Sequence, residues 1–172
     1  PEREHLAPDY LAINPRGRVP TLITPQGPLT ENPAILAYLA QAHPETCLAP
    51  TDPFAFAKAQ SVNLYLASTL HVAFAHKARA ARWADDPASI RAMQAKVPEN
   101  IAEGAQFVED HLLQRPWVLG EAYSFCDPYV FLVHRWMSAS GIGLDAYPKL
   151  KAHTLAMKHR PAVQRAMAQH GL

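Results

Sequence analysis

An acid and an amide, Glu31 and Asn32, stand directly before the apolar run of a predicted helix. Asn32 followed by Pro33 predicts an N-cap and a first helical position, because proline has no N–H group to leave unpaired there. The N-terminus of such a helix can take a carboxylate, and an acid beside it can take an amine. The pair therefore predicts a site for a small zwitterionic ligand.

The elements that must position this pair form a predicted hairpin. A strand-like run extends from Val19 to Ile23, the turn occupies Pro25 to Pro28, and a short second strand leads into the helix. Gln-Gly between two short apolar runs is a hairpin signal. Backbone groups of the first strand could pair with a peptide-like ligand. An ordinary hairpin and helix with no ligand is the alternative interpretation.

These residues closely resemble the glutathione-binding half of the glutathione S-transferases. The resemblance implies a thioredoxin-like first domain, with glutathione as co-substrate and no metal. It also implies a cis peptide bond between Val19 and Pro20. The N–H and C=O of Val19 would then pair with the cysteinyl part of glutathione. Glu31 and the next residue would bind the γ-glutamyl end. That next residue is usually Ser or Thr, and Asn32 still offers a capping oxygen there. Arg18 would reach the glycine carboxylate. The matching motifs are Asn14-Pro15-x-Gly17-x-Val19-Pro20 and Glu31-Asn32-x-Ala34-Ile35.

A histidine in the helical part of the chain is a further candidate contact. Leu64, Ser68, His71 and Ala75 share one face of a predicted helix, and this face mixes a titratable ring and a hydroxyl with apolar neighbours. Beta-like bacterial members of the family have a histidine here that approaches glutathione from the helical domain, so the resemblance implies that role for His71. A structural histidine facing the core is the alternative.

The rest of the chain is predicted to be helical. X-Pro steps at Pro53, Pro87, Pro148 and Pro161 each predict the start of a helix. The predicted fold class is therefore an α/β thioredoxin-like N-terminal domain, of which the chain carries the ββα part, followed by an all-α bundle. The expected ranges are 1–44 for the first domain, 45–52 for a linker and 53–172 for the helical domain.

One long helix and one helix start are predicted in more detail. Apolar residues spaced by three and four predict a helix over about 87–113 with one buried face, which Pro98 should interrupt. Ser124 followed by Asp127 predicts a capping box, with Ser124 as N-cap. Cys126 between them is interpreted as a buried, inert side chain rather than a reactive thiol.

Composition narrows the possible partners. The chain has 16 Lys and Arg and 15 Asp and Glu, which gives a net charge of +1. This charge does not indicate binding to nucleic acid or to a membrane surface. Polar residues interrupt every apolar stretch before it reaches a membrane-spanning length. Its two cysteines form no metal-binding or Cys-x-x-Cys pattern, which favours a reduced, cytoplasmic protein.

The resemblance implies a glutathione transferase that conjugates the glutathione thiolate to apolar electrophiles, working as a homodimer. The alternatives are a glutathione-dependent disulfide reductase or dehalogenase on the same scaffold, or a non-catalytic binding module. In this family the catalytic Tyr, Ser or Cys follows the first strand of a βαβ unit. We expect that unit, and the catalytic residue, to lie in a segment preceding Pro1.

Overall fold

The computed structural model describes residues 3–114 and 116–171. Residues 1, 2, 115 and 172, which the expected domain ranges include, lie outside the described residues. The chain divides into two compact units, Pro1–Ala49 and Pro50–Leu172.

The first unit contains an antiparallel hairpin. Strand β1 pairs with β2 so that Thr21 lies opposite Thr30 and Thr24 opposite Gly27. The Thr24 hydroxyl donates to the Gly27 carbonyl at 2.7 Å and so closes the turn. The strand begins at Thr21 rather than at Val19, because Pro20 has no N–H to donate to a strand partner. The elements are a 3-10 turn Glu4–Leu6, α1 Pro8–Ile13, β1 Thr21–Thr24, β2 Gly27–Thr30, α2 Asn32–Ala42 and a 3-10 turn Pro44–Thr46.

The start of α2 differs by one residue from the prediction. Glu31 is the N-cap, with φ 69° and ψ 116°, and Asn32 is already helical. Neither residue's side chain caps the helix within the described structure. The helix therefore starts directly after Glu31, whose carboxylate pairs with a side chain outside α2.

The second unit is built from helices. The four helices predicted from X-Pro steps begin at the predicted prolines. At the start of α3 the Asp52 carboxylate accepts the Ala55 N–H at 2.8 Å. At the start of α5 the Asp86 carboxylate accepts the Ser89 N–H at 2.7 Å. These bonds satisfy donors that a helix start leaves unpaired. The elements are α3 Pro53–Tyr65, a π-helical turn Leu66–Leu70, α4 His71–Arg79, a 3-10 turn Ala80–Arg82, α5 Pro87–Phe107, a π-helical turn Val108–Leu112, α6 Asp127–Ala139, α7 Pro148–Lys158 and α8 Pro161–Gln169.

The predicted buried face of α5 is confirmed over its central turns. Val97, Ile101 and Ala105 are buried, and Val108 in the following π-helical turn is buried with them. The helix continues through Pro98, whose ring lies on the exposed side. The sequence spacing therefore located the core face, and the proline does not end the helix.

Asp127, the first residue of α6, has a buried carboxylate that bonds to the loop before α6 and to a histidine of α7. One of its oxygens accepts the N–H and the hydroxyl of Ser124, at 2.7 Å and 2.9 Å. The other accepts the Val118 N–H at 3.0 Å and contacts Nε2 of His153 at 2.9 Å. The predicted pairing of Ser124 with Asp127 is thus present, but the helix begins at Asp127 and its N-cap is Cys126. The reason is that the Asp127 N–H closes a tighter turn on the Ser124 carbonyl at 3.2 Å, and the four-residue bonding of the helix starts with the Val130 N–H and the Cys126 carbonyl at 3.1 Å.

A second buried carboxylate, Glu109, caps a helix that is distant in sequence. Its two oxygens accept the N–H groups of Lys149 and Leu150, each at 2.8 Å. These groups belong to the first turn of α7, where a negative charge also interacts favourably with the helix dipole. Glu109 lies within the second π-helical turn, so an irregular turn of one helix holds the start of another.

Candidate functional site

Val19 is a predicted site residue that lies between α1 and strand β1. Its side chain is 72% exposed, and the peptide bond to Pro20 is cis, as the resemblance implies. Within residues 3–114 and 116–171, no hydrogen bond uses the N–H or the C=O of Val19. Both groups are therefore available to an extended, peptide-like ligand.

The residues on either side of Val19 are held firmly. Asn14, which is 3% exposed, donates its amide hydrogens to the Arg18 carbonyl at 2.8 Å and to the Thr21 hydroxyl at 3.0 Å. The hydroxyl of Tyr10 donates to the same carbonyl at 2.5 Å and pairs with the same threonine at 2.9 Å. These four bonds fix the backbone before and after Val19. Sequence reasoning gave Tyr10 no role, and no local pattern marks it.

A turn that needs glycine leads into this segment. The Gly17 N–H donates to the Asn14 carbonyl at 2.9 Å, and Gly17 has φ 55°. A Cβ at this position would lie 2.8 Å from Cδ2 of Leu6 and 3.1 Å from the His5 carbonyl oxygen. Both the backbone angle and the close approach therefore favour glycine.

Glu31 lies at the end of the hairpin beside the cis-proline. The strand register pairs Thr21 with Thr30, so Pro20 and Glu31 are the next residues along the two chains. Nη1 of Arg16 donates to Oε1 of Glu31 at 2.6 Å, and both side chains are 61% exposed. Sequence reasoning missed Arg16. A ligand ammonium could reach the same carboxylate from solvent.

Two more predicted residues of the first unit flank this position. Asn32 is half-buried, and its side chain makes no hydrogen bond to any described residue. The Arg18 side chain is exposed, and no ion pair to another described residue engages it. The first unit thus brings Val19, Pro20, Glu31, Asn32 and Arg18 to one end of the hairpin.

His71 belongs to the second unit, where it is half-buried against α6. Its Nδ1 lies 3.0 Å from the hydroxyl of Tyr129, and its ring centroid lies 5.2 Å from that of Trp136. Burial, followed by the positive charge of Arg79, lowers the pKa of His71, so its imidazole is neutral at neutral pH. No described residue hydrogen-bonds its Nε2.

The two cysteines differ sharply in environment. Burial, and then the Asp127 carboxylate, raise the pKa of the Cys126 thiol to about 12, and its Sγ donates to the Ala59 carbonyl at 3.1 Å. The interpretation of Cys126 as an inert side chain agrees with this environment. Cys47 is exposed and unpaired.

The described residues offer neither a metal site nor a membrane-spanning helix. They contain no group of three or more His, Cys, Asp or Glu side chains placed to hold a metal ion. Among them there is also no helix of sufficient length and apolar character to cross a membrane.

Comparison with known proteins gives matches along nearly the whole chain. Residues 1–47 match the family model for the glutathione S-transferase N-terminal domain, and residues 66–161 match that for the C-terminal domain. The glutathione S-transferase GstA of Escherichia coli O157:H7 is 32% identical over 166 residues, covering 95% of this chain and 79% of that protein. A maleylacetoacetate isomerase of Pseudomonas aeruginosa is 31% identical, covering 95% of this chain and 77% of its own length.

Solved structures match equally well. A glutathione transferase homologue from Sulfitobacter, with bound glutathione, superposes with a TM-score of 0.94 at 46% identity, covering 99% of this chain and 82% of the other. A sphingomonad glutathione S-transferase in complex with glutathione gives 0.82 at 33% identity, covering 95% and 79%. The expected fold class, an α/β thioredoxin-like domain followed by an all-helical domain, is confirmed.

Proposed function

Because the chain belongs to the glutathione S-transferase family, we propose that it is a glutathione transferase acting on apolar electrophiles. In this reaction the thiolate sulfur of glutathione bonds to an electrophilic carbon, and the group it displaces leaves with the bonding electron pair. Glutathione is the co-substrate, and no metal takes part. The observation that carries the proposal is the exposed backbone of Val19, which no described residue pairs and which is held in place beside the carboxylate of Glu31.

The roles we assign in binding follow from the chemistry of each group. The N–H and C=O of Val19, which precedes the cis Pro20, pair with the cysteinyl part of glutathione. Glu31 accepts the γ-glutamyl ammonium. Asn32 and the N-terminus of α2 take the adjacent carboxylate, since helix N-termini favour anions. Arg18 pairs with the glycine carboxylate.

We assign a further contact to His71, in the helical unit. Its Nδ1 is already engaged by Tyr129, so Nε2 is the atom left for an oxygen of glutathione. The structural alternative, a histidine that serves only packing, draws support from its contact with the Trp136 ring, which is tilted at 34° to the imidazole. Titration calorimetry and chemical denaturation of His71→Ala separate the two roles: weaker glutathione binding with unchanged stability supports the contact, and lost stability with normal binding supports the packing role.

A second candidate function is glutathione-dependent isomerisation. It is favoured by the similarity to maleylacetoacetate isomerases, among them that of Pseudomonas aeruginosa at 31% identity over 171 residues. A disulfide reductase, a dehalogenase and a binding module without turnover remain alternatives on the same scaffold. All of these keep the glutathione site, so they differ in the second substrate.

The homodimer and the cytoplasmic location also belong to this proposal. Phe54 and Leu64 of α3 are 75% and 57% exposed, and a second copy of the chain would cover apolar side chains of this kind. Both cysteines are free thiols, which suits a reducing compartment. Sedimentation of a monomer at micromolar concentration would contradict the dimer.

The test of the glutathione site compares two acid-to-alanine variants. Glu31→Ala leaves the ligand ammonium without its partner, which should weaken glutathione binding by roughly 1.5–3 kcal/mol for a charge-assisted bond. Glu45→Ala is the matched control, because Glu45 is an exposed acid of the same unit that pairs with His43. Titration calorimetry measures both. Equal affinity in the two variants would contradict the assignment of Glu31.

Activity assays on the same protein then separate the candidate reactions. Conjugation of an aryl halide, glutathione–disulfide exchange and isomerisation of maleylacetoacetate are measured in parallel. We expect conjugation to dominate. Glutathione binding with none of the three activities would favour the binding module.

A further inference from the structure

An exposed ion pair joins two parts of the first unit that lie apart in the sequence. Nη1 of Arg16 donates to Oε1 of Glu31 at 2.6 Å, across 15 positions of the chain. Both residues belong to the unit Pro1–Ala49. Glu31 is the acid to which we assign the γ-glutamyl ammonium, whereas Arg16 has no role in the binding site proposed above. The pair therefore places a cation directly beside the proposed binding carboxylate.

The backbone of Arg16 is held by the buried side chain of Asn14. The Arg16 N–H donates to Oδ1 of Asn14 at 3.1 Å, and the Gly17 N–H donates to the Asn14 carbonyl at 2.9 Å. Nδ2 of the same asparagine donates to the Arg18 carbonyl at 2.8 Å. One buried residue thus fixes both the point from which the Arg16 side chain starts and the backbone next to Val19.

The backbone of Glu31 is fixed as well, between the end of β2 and the start of α2. Thr30 before it pairs with Thr21, and its own carbonyl accepts the Ile35 N–H at 3.0 Å. Its φ of 69° is uncommon for a residue with a side chain. Only the side-chain torsions of Glu31 then remain to be restricted. An ion pair restricts them before a ligand arrives, which reduces the entropy that binding costs.

The ion pair engages one carboxylate oxygen and leaves the other. Among the described residues, Arg16 alone bonds to the Glu31 carboxylate, and it does so through Oε1. Both oxygens of a carboxylate accept hydrogen bonds, so Oε2 can still accept from an ammonium group. The Glu31 side chain is 61% exposed, which gives a ligand access to this oxygen from solvent. The carboxylate is therefore held without being filled.

The charge of Arg16 acts on a γ-glutamyl group in two opposing ways. It repels the ammonium and attracts the carboxylate bonded to the same carbon atom. Charges at an exposed site interact weakly through water, and the two contributions largely cancel on a zwitterionic group. The ordering of Glu31 is the effect that remains.

We propose that Arg16 is a positioning residue of the glutathione site: it holds Oε1 of Glu31 and so keeps Oε2 in place to accept the γ-glutamyl ammonium. The proposal rests on the glutathione-binding function proposed above. Arg16 itself forms no bond to the ligand, so its effect passes through Glu31.

The first experiment is a double-mutant cycle on glutathione affinity, with Arg16→Gln, Glu31→Ala and the double variant, measured by titration calorimetry. Arg16→Gln should raise the dissociation constant about 2- to 5-fold, the range for an exposed ion pair. In the Glu31→Ala background the same change should have no further effect. Lys96→Gln is the control, because Lys96 is an exposed cation that pairs with Glu99. Additive effects of Arg16→Gln and Glu31→Ala would overturn the proposal, since Arg16 would then act without Glu31.

A ligand without the γ-glutamyl group gives a readout that a purely structural role would not produce. N-acetyl-cysteinylglycine keeps the cysteinyl and glycine parts and has no ammonium for Glu31 to accept. Arg16→Gln should leave its dissociation constant unchanged, as measured by NMR titration. Equal losses of affinity for this ligand and for glutathione would show that Arg16 supports the backbone near Val19, and would overturn the proposal.

A conservative variant tests the charge itself. Arg16→Lys keeps a cation that can pair with Oε1, so it should recover part of the affinity lost in Arg16→Gln. A loss in Arg16→Lys as large as in Arg16→Gln would overturn the ion pair as the cause. Tighter glutathione binding in Arg16→Gln would also overturn the proposal, because Arg16 would then compete with the ligand ammonium.

The outcomes separate this proposal from the function on which it rests. If the unaltered protein binds glutathione and Glu31→Ala weakens binding while Arg16→Gln does not, the positioning role is wrong and the glutathione site stands. If the unaltered protein does not bind glutathione, both fail.

Discussion

The side-chain amide of Asn14 joins the two residues that flank Val19 and Pro20, donating to the Arg18 carbonyl and to the Thr21 hydroxyl. In the sequence, Asn14 is one position of the motif that matches the family, and no local pattern shows which groups its side chain bonds. In the structure it is buried and supports the whole exposed segment. The order of this segment, and with it the affinity for glutathione, should therefore depend on a residue that does not touch the ligand.

Asn14→Ala should destabilise the protein by about 1–3 kcal/mol, because it leaves a buried acceptor with fewer partners. Glutathione binding should weaken as well, since Val19 loses part of its support. Asn100→Ala, at an exposed position of α5, is the control. Chemical denaturation and calorimetry measure the two effects. Normal affinity in a destabilised Asn14→Ala protein would show that Tyr10 alone can hold the segment.

Gly17→Ala should cost about 1–2 kcal/mol of stability, because a side chain at φ 55° is strained and its Cβ would press on Leu6. Gly143→Ala is the matched control, since no atom lies within 4 Å of a Cβ built there. Urea unfolding of both variants measures the difference. Equal stabilities would mean that the turn can relax around the added methyl group.

Glu109→Gln should reduce the free energy of unfolding by about 1.5–3 kcal/mol. The amide can accept only one of the two N–H groups at the start of α7, and the interaction of a negative charge with the helix dipole is lost. Glu99→Gln changes an exposed acid that pairs with Lys96, so it should alter stability far less. A small effect for Glu109→Gln would indicate that water or a shifted helix end replaces the carboxylate.

The Cys126 thiol should make stability fall in alkaline solution. Its folded-state pKa is raised to about 12 from 9.0, so the folded protein keeps a proton that the unfolded chain releases. This contribution is complete below pH 9.0 and declines as the pH rises towards the folded value. The free energy of unfolding should therefore decrease less steeply in Cys126→Ala than in the unaltered protein as the pH rises from about 9 towards about 12. Parallel curves would contradict the assigned environment.

Local signals in the sequence determined much of this protein. Proline at the first turn predicted the starts of four helices because its missing N–H is not needed there, and a spacing of three and four residues located the buried face of α5. The motifs around Val19 and Glu31 identified the family and the candidate site. Each of these signals is contained within a few residues.

Only the tertiary structure decided the partners of the polar groups. Arg16 meets Glu31 across 15 positions, Glu109 reaches α7 across 40, and His71 meets Tyr129 across 58. A periodic pattern reports that a side chain is buried, but it does not report which other side chain shares its surroundings. The close approach of Leu70, in the π-helical turn before His71, to Gly104 of α5 is another such contact, since the two residues are far apart in the sequence.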